Sequence, residues 1–308
     1  GLTKNYGPHR AIDDLTFTIK KGEVVGFLGP NGAGKTTTMK IITGFMAPSE
    51  GTVKVAGFDV FENPLEVKRR IGYLPETPPV YGDMTVESYL RFVARLKGVA
   101  SDRVHDLVEL SIQKTDLGSV RKRLIQNLSK GYRQRVGISQ ALVSDPEVLI
   151  LDEPTVGLDP RQVAEVRSLI KELRGKHTII LSTHILPEVQ ATCERIIIVN
   201  RGRIVVQETI DRLSLNMAQT GRVYFRIVKP TPALVQQLTS AKGVTAVRQP
   251  QADSFEVDTD GTKDTAAGLA AQIVSSGAGL VEMRQESFNL EDVFLKLTTS
   301  EEQQGVSV

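Results

Sequence analysis

The sequence predicts an α/β fold built on parallel strands, followed by a smaller α+β domain. A short apolar run at 24–28 leads into a glycine-rich turn that opens a helix. Residues 148–151 form a continuous apolar run without alternation, and 178–182 a second such pattern, as expected for parallel strands buried on both faces. After a polar joint at 208–220, short strand and helix patterns resume. A chain of 308 residues is long enough for two domains.

The glycine-rich turn has the G-x-x-x-x-G-K-[ST] spacing of a phosphate cradle. It comprises Gly29, Pro30, Asn31, Gly32, Ala33, Gly34, Lys35, Thr36 and Thr37. Glycines permit backbone angles closed to other residues, so successive N–H groups can converge on one anion at the positive end of the following helix. We expect Lys35 to reach the β- and γ-phosphates and Thr36 to offer its hydroxyl to Mg²⁺.

Polar residues follow two of the predicted strands. Asp152 and Glu153 come directly after 148–151, and His184 stands at the end of the next strand. The carboxyl ends of parallel strands share one edge of the sheet, where ligands of open α/β sheets bind. Burial of a carboxylate is unfavourable unless it holds a cation or a proton in transfer. Asp152 is therefore predicted to bind Mg²⁺, directly or through water, and Glu153 to be the general base for an attacking water. The alternatives are a solvated acidic turn and a structural histidine.

Composition restricts the class of protein. The net charge of +2 does not indicate an acidic partner such as nucleic acid. The single cysteine, Cys193, cannot form an internal disulfide, so we expect a reducing compartment and no cysteine-based metal site. The apolar runs are far shorter than the roughly eighteen residues that indicate a membrane span. Membrane association is therefore expected only through a partner.

The other patterns before the polar joint predict further regular structure. Strands are predicted at 15–19, 51–57 and 71–76, helices in 86–96, 101–125 and 160–174, and a hairpin at 196–206. Thr85 is the expected N-cap of the helix at 86–96, whose apolar face is either core or a partner site. Ser129 and Gly131 precede another helical pattern, whose free N–H groups offer a second potential anion site. Tyr6, beside a turn, is consistent with simple surface packing.

Together these residues resemble the nucleotide-binding subunit of ATP-binding-cassette (ABC) transporters, over residues 1 to about 215. Five elements in the family's order carry the resemblance: the phosphate loop, the signature Leu128-Ser129-Lys130-Gly131-Tyr132-Arg133-Gln134, the strand with Asp152-Glu153, the turn Gly157-Leu158-Asp159, and His184. The resemblance implies a P-loop NTPase fold of the ABC-ATPase type, with a helical subdomain at about 78–145.

The resemblance also implies a mode of action. Two subunits would form a head-to-tail homodimer or pseudo-dimer with two ATP molecules between them. Each ATP would be held by the phosphate loop of one subunit and by the signature of the other. In the signature, Ser129, Gly131 and Gln134 would contribute to nucleotide binding. Tyr6 lies where the family stacks an aromatic ring on adenine, His184 would touch the γ-phosphate, and Asp159 would couple the two sites.

One position departs from the family pattern. The family usually has glutamine in the loop after the strand that begins at Ile71, whereas this chain has Glu76. A carboxylate oxygen can bind Mg²⁺ as an amide oxygen can, so Glu76 is predicted as a metal ligand and catalytic residue. The Leu-Pro-Glu variant resembles the subgroup that serves ABC-2-type exporters, including the gliding-motility ATPase.

The polar joint is followed by a different pattern at 221–298. Its order, β-α-β-β-α-β with one added helix at 290–298, predicts a ferredoxin-like α+β domain. It carries no catalytic constellation, so it is either a dimerisation or regulatory accessory or a passive appendage. Residues 299–308 are predicted to be a disordered tail, with 301–308 the most polar part.

The sequence thus predicts an ATPase that uses ATP and Mg²⁺ to drive a separate transmembrane permease of an ABC exporter, from the cytoplasmic face of the cell membrane. The main alternative is a soluble cassette ATPase that acts on ribosomes or nucleic acid. Such relatives carry either a second cassette in the same chain or a long heptad insertion between the phosphate loop and the signature. Between Lys35 and Ser129 no sustained heptad pattern is visible. A non-hydrolysing scaffold is disfavoured by the presence of Asp152 and Glu153.

Overall fold

The computed structural model describes residues 1–213 and 221–287, which belong to two compact units, 1–209 and 210–308. The predicted helix at 290–298 and the predicted tail at 299–308 lie outside the described residues. None of the helices in the described part of the chain has the length and apolar character needed to cross a membrane.

The first unit is built on a six-stranded sheet in the order β10-β9-β3-β8-β7-β6. The strands of this unit are β1 (Leu2–Tyr6), β2 (His9–Leu15), β3 (Val24–Leu28), β4 (Lys54–Val55), β5 (Phe58–Asp59), β6 (Ile71–Leu74), β7 (Val148–Asp152), β8 (Thr178–Thr183), β9 (Arg195–Asn200) and β10 (Arg203–Thr209). All neighbours in the sheet are parallel except β9 and β10, which form the predicted hairpin. The carboxyl ends of β3, β6, β7 and β8 therefore lie along one edge.

Seven helices of the first unit pack around this sheet or beside it. They are α1 (Lys35–Ile42), α2 (Pro64–Arg70), α3 (Val86–Leu96), α4 (Val104–Lys114), α5 (Lys130–Leu142), α6 (Pro160–Leu173) and α7 (Leu186–Thr192). Helices α3, α4 and α5 share an apolar core of their own, separate from the core beneath the sheet. Thr85 is the N-cap of α3 as predicted, because its side chain accepts a hydrogen bond from the Ser88 amide. The apolar face of α3 packs mainly into that helical core.

The prediction of a strand at 15–19 is wrong. In the structure, strand β2 ends at Leu15 and pairs with β1, and residues 16–19 form no strand pairing. Phe17 and Ile19 nevertheless pack against the core, and the Phe17 ring centroid lies 5.6 Å from that of Phe27. The alternation in this segment therefore reflects packing against the sheet and not a hydrogen-bonded ladder.

Two other predicted elements are shorter than expected. The strand predicted at 51–57 is reduced to β4, which pairs with β5. The helical stretch predicted in 101–125 is reduced to α4, followed by 3₁₀ turns at Gly118–Val120 and Ile125–Asn127. Asp116, with φ of 51°, has left-handed backbone angles that an α-helix cannot continue through.

The second unit has the predicted β-α-β-β-α-β order in its described residues. Its elements are β11 (Gly221–Ile227), α8 (Pro232–Ser240), β12 (Val244–Gln251), β13 (Ser254–Thr259), α9 (Lys263–Ser275) and β14 (Leu280–Ser287). The sheet is antiparallel in the order β12-β13-β11-β14, the arrangement of a ferredoxin-like fold. Its core includes Val223, Phe225 and Ile227 from alternate positions of β11, packed with both helices.

Candidate functional site

The phosphate loop joins the buried end of β3 to α1, and close packing requires glycine at two of its positions. A Cβ on Gly29 would lie 2.3 Å from the Val199 carbonyl oxygen, and one on Gly34 would lie 2.6 Å from that of Ala11. Gly34 also has φ of 99°, which disfavours any residue with a side chain. The loop is therefore wedged between the sheet and β2, and its backbone turns sharply into α1.

Lys35, at the start of α1, is held inside the loop. Its Nζ donates to the carbonyl oxygens of Gly29 at 2.8 Å and Pro30 at 3.2 Å, and lies 3.8 Å from Glu153 Oε1. Burial lowers the pKa of Lys35, and the nearby charges of Glu153, Asp152 and Glu76 oppose that change. A buried cation that faces carboxylates across an open cavity is suited to binding the phosphates of a nucleotide.

Asp152, the last residue of β7, is fully buried. Its Oδ1 accepts a hydrogen bond from Ser182 Oγ at 2.7 Å, whereas its Oδ2 has no hydrogen-bond partner. Burial raises the pKa of Asp152, an effect that the hydroxyls of Ser182 and Thr36 oppose. An unpaired buried carboxylate oxygen close to a threonine hydroxyl is the donor set that a hard cation such as Mg²⁺ uses.

The protein alone offers few ligands for such a cation. Within residues 1–213 and 221–287, no group of three or more His, Cys, Asp or Glu side chains could hold a metal ion. With only the oxygens of Asp152 and Thr36 as donors from the protein, a hard cation would need further oxygen ligands, which phosphate groups can supply.

Glu153 and His184 form a pair at the same sheet edge. Glu153 has φ of 50°, a strained backbone that turns its side chain away from the line of β7, and its N–H donates to the Ser182 carbonyl at 2.8 Å. His184 Nδ1 lies 2.9 and 3.0 Å from the two Glu153 carboxylate oxygens. A ring that donates from Nδ1 to this carboxylate keeps Nε2 for a ligand. The Glu153 side chain is buried, whereas His184 is 43% exposed.

A cavity of about 670 Å³ brings most of the predicted residues together. The predicted residues that line it are Tyr6, Asn31, Gly32, Gly34, Lys35, Thr36, Thr37, Glu76, Glu153 and His184. Asp152 is fully buried and does not line the cavity, and the carbonyls of Gly29 and Pro30 accept hydrogen bonds from Lys35. Glu76, the residue that departs from the family pattern, thus lies on the cavity with the phosphate loop. The volume is in the range of small-molecule sites.

His9, at the outer end of the cavity, was not predicted from the sequence. It lies opposite Tyr6 in the β1–β2 hairpin, and both side chains line the cavity. The Tyr6 side chain is 44% exposed, and its hydroxyl donates to Met46 Sδ at 2.9 Å, which leaves the ring beside the cavity. His9 could have been placed at the cavity only from the register of the β1–β2 hairpin, and that register cannot be determined from the identity of individual residues.

The signature residues are not brought to this cavity within one chain. Ser129 is the N-cap of α5 and accepts from the Tyr132 amide, while Gln134 is buried and its Nε2 donates to the Pro154 carbonyl at 3.0 Å. Asp159 is the N-cap of α6, in a capping box with Gln162. A Cβ on Gly131 would lie 2.3 Å from Gln162 Nε2, so Gly131 packs directly against that capping box. Ser129, Gly131 and Asp159 therefore belong to a second cluster.

Comparison with known proteins identifies the family. The family model described as "ABC transporter" matches residues 12–156. The bacitracin transport ATP-binding protein BcrA of Bacillus licheniformis is 33% identical over 96% of this chain and 95% of its own length. The chain belongs to the ABC transporter ATP-binding proteins. Another relative of this ABC protein is the Nod factor export ATP-binding protein I of Burkholderia lata, 32% identical over 98% of this chain and 96% of its own.

A solved ATP-binding subunit of an ABC transporter confirms the fold of this ABC protein. It superposes with a TM-score of 0.64 and 32% identity, over 70% of this chain and 90% of its own. The predicted P-loop NTPase fold of the ABC-ATPase type is therefore confirmed, and the protein is an ATPase with a nucleotide-binding domain. The finer resemblance to the gliding-motility ATPase stays a prediction.

Proposed function

We propose that this ABC protein hydrolyses ATP as a nucleotide-sandwich homodimer and thereby drives a separate transmembrane exporter. The observation that supports this most is the cavity lining, which includes Lys35, Glu76, Glu153 and His184, with the buried Asp152 next to Glu153 in the chain. Two named relatives are a bacitracin transport protein and a Nod factor export protein. Their names favour export over action on ribosomes or nucleic acid.

Each residue of the cavity has a role in the proposed hydrolysis. The loop amides at 29–34 and the Lys35 ammonium hold the β- and γ-phosphates, while the Tyr6 ring stacks on adenine. Glu153 accepts a proton from the attacking water. His184 orients that carboxylate by donating from Nδ1, and its Nε2 donates to a γ-phosphate oxygen. Burial of the Lys35 and Glu153 side chains strengthens their interactions with the nucleotide, because these two groups are little screened by solvent.

Mg²⁺ belongs to the proposal as the partner of the nucleotide. The Thr36 hydroxyl, Asp152 and Glu76 would hold it, directly or through water, consistent with the unpaired Asp152 Oδ2. When bound, the ion neutralises charge that develops on the phosphates. Glu76 in place of the usual glutamine adds negative charge on this side of the cavity, so it strengthens metal attachment and opposes the charge developed in transfer.

The placement of the signature supports a dimer. Ser129, Gly131 and Asp159 lie outside the cavity that holds the phosphate loop of their own chain. A second chain in head-to-tail orientation would supply its Ser129 and Gly131 to the nucleotide, and Asp159 would couple the two sites. We assign this work to residues 1–215, with a helical subdomain at 78–145, and an accessory role to 221–298. Gln134, predicted from the sequence as a nucleotide-binding residue, is buried and donates to the Pro154 carbonyl, so we assign it instead to holding the loop after Glu153.

A groove of about 470 Å³ on the first unit is the proposed docking surface for the transmembrane permease. It combines exposed apolar surface, including Phe45, with the lysines Lys40, Lys68 and Lys97. Aromatic and basic side chains suit a permease helix that carries apolar and acidic residues. This contact would place the protein at the cytoplasmic face of the cell membrane.

Hydrolysis by a Lys35→Ala variant tests the proposal. Removal of the ammonium that faces the phosphates should weaken ATP binding in calorimetry and lower the rate of phosphate release by about a hundredfold or more. Lys54→Ala, on the exposed residue of β4, is the matched control and should match the wild type. ATP affinity of Lys35→Ala equal to that of the wild type would contradict the assignment of the loop.

A further inference from the structure

Glu188, in the first turn of α7, is a buried carboxylate that the proposed mechanism does not use. It is 2% exposed and does not line the nucleotide cavity. Both of its oxygens accept hydrogen bonds from hydroxyls: Oε1 from Thr155 and Oε2 from Thr183, the latter at 3.2 Å. Because burial of a carboxylate is unfavourable, its retention here calls for a reason beyond packing.

The two threonines belong to the two segments that carry the catalytic pair. Thr155 lies two residues after Glu153, in the loop that leads to Asp159, and Thr183 immediately precedes His184. Thr183 Oγ also accepts from the Ile185 amide at 3.1 Å, so it shapes the turn after His184. The Glu188 carboxylate therefore ties the segment of Glu153 to the segment of His184 from behind.

We propose that Glu188 is a positioning residue for hydrolysis. By holding Thr155 and Thr183 together, it fixes the backbone on both sides of the contact in which His184 Nδ1 lies 2.9 Å from Glu153. It acts through these residues and does not touch the nucleotide. This inference rests on the proposed hydrolytic role of Glu153, and it assigns the control of that geometry to a residue outside the cavity.

Steady-state hydrolysis by Glu188→Ala and Glu188→Gln tests the proposal. Loss of the carboxylate releases both hydroxyls, so Glu188→Ala should lower kcat at least about tenfold while the KM for ATP stays within about twofold. The amide of Glu188→Gln can accept from one threonine and donate to the other, so its kcat should lie between the alanine variant and the wild type. Glu194→Ala, exposed just after α7, is the matched control and should match the wild type.

Two further variants separate positioning from a general loss of folding. Thr155→Val and Thr183→Val each remove one hydroxyl at nearly constant volume, and each should lower kcat in the wild type but add little to Glu188→Ala. In a Glu153→Gln background, Glu188→Ala should leave the residual hydrolysis rate unchanged, because the group that it positions is already inactive. A purely structural role would lower that residual rate as well.

The outcomes distinguish this inference from the proposed function. Wild-type protein without Mg²⁺-dependent ATP hydrolysis would overturn the proposed function itself. Active wild type, together with Glu188→Ala at wild-type kcat, would overturn only the role of Glu188. If Glu188→Ala does not fold, wild-type kcat in both threonine variants would overturn it equally.

Discussion

Replacement of Asp152 by asparagine should separate stability from activity. The wild-type carboxylate is fully buried, and its Oδ2 has no hydrogen-bond partner. Asparagine keeps the shape and the acceptor for Ser182 Oγ but carries no charge. We therefore expect Asp152→Asn to raise the free energy of unfolding of the nucleotide-free protein and to impair Mg²⁺-dependent hydrolysis.

The magnitude follows from the environment of the Oδ2 atom. A buried carboxylate charge whose second oxygen has no hydrogen-bond partner disfavours folding by about 1–3 kcal/mol, which for a unit of this size corresponds to about 2–12 °C in Tm. Burial raises the pKa of Asp152 in the folded protein above its usual value of 3.8. The folded state then binds the proton more tightly, so wild-type stability falls as pH rises from about 3.8 through the raised pKa. Asp152→Asn has no carboxyl to titrate at this position, so its free energy of unfolding does not fall in this way. Its greater stability over the wild type is therefore largest at neutral pH and disappears in acid.

Urea unfolding followed by circular dichroism at pH 7.5 and under mildly acidic conditions measures both effects. The variant should be more stable at pH 7.5, and the difference should shrink as pH falls. Saturating Mg²⁺ and ATP should reverse the order, because ligand that binds only the folded state stabilises the wild type more. If Asp152→Asn is less stable than the wild type at pH 7.5 without nucleotide, the buried Asp152 carboxylate does not disfavour folding and the prediction is wrong.

Two other changes test separate parts of the site. Glu76→Gln should keep hydrolysis within about tenfold of wild type, about 1.4 kcal/mol of barrier, but need more Mg²⁺ for half-maximal rate, whereas Glu76→Ala should lose far more. The hydrolysis rate of both variants is measured as Mg²⁺ is titrated. If Glu76→Ala has the rate and the Mg²⁺ requirement of the wild type, Glu76 is a structural loop residue. Phe45→Glu, at a side chain 77% exposed beside the groove, should abolish co-purification with the permease, whereas Leu65→Glu, 69% exposed on α2, should not. Equal recovery of the permease with both variants would place docking elsewhere.

Local signals in the sequence were sufficient for much of the fold and the site. The phosphate loop, the apolar run of β7 and the Thr85 cap of α3 each depend on residues close in sequence, and the structure has all three. Glu153 and His184 could be predicted to lie close together, because each follows one of two neighbouring parallel strands whose carboxyl ends share one edge of the sheet. Glu76 lies on the cavity with them.

Features that depend on tertiary pairing were missed or wrong. The apolar alternation at 15–19 gave no indication that the strand ends at Leu15, because packing of an irregular segment produces the same pattern. His9 reaches the cavity only through the register of a hairpin. Glu188 is an ordinary first-turn glutamate in the sequence, and its function depends on two threonines that meet only in the fold.

In the proposed cycle, ATP binding closes two chains around nucleotide, and hydrolysis with Glu153 as the base releases them. Glu153→Gln keeps the shape of the side chain but cannot accept the proton of the attacking water. Sizing chromatography with light scattering of this variant in saturating Mg²⁺ and ATP is the direct measurement. We expect a dimer in the presence of ATP that dissociates when nucleotide is removed, as the proposed cycle requires. A monomer that nevertheless binds ATP stoichiometrically would contradict it.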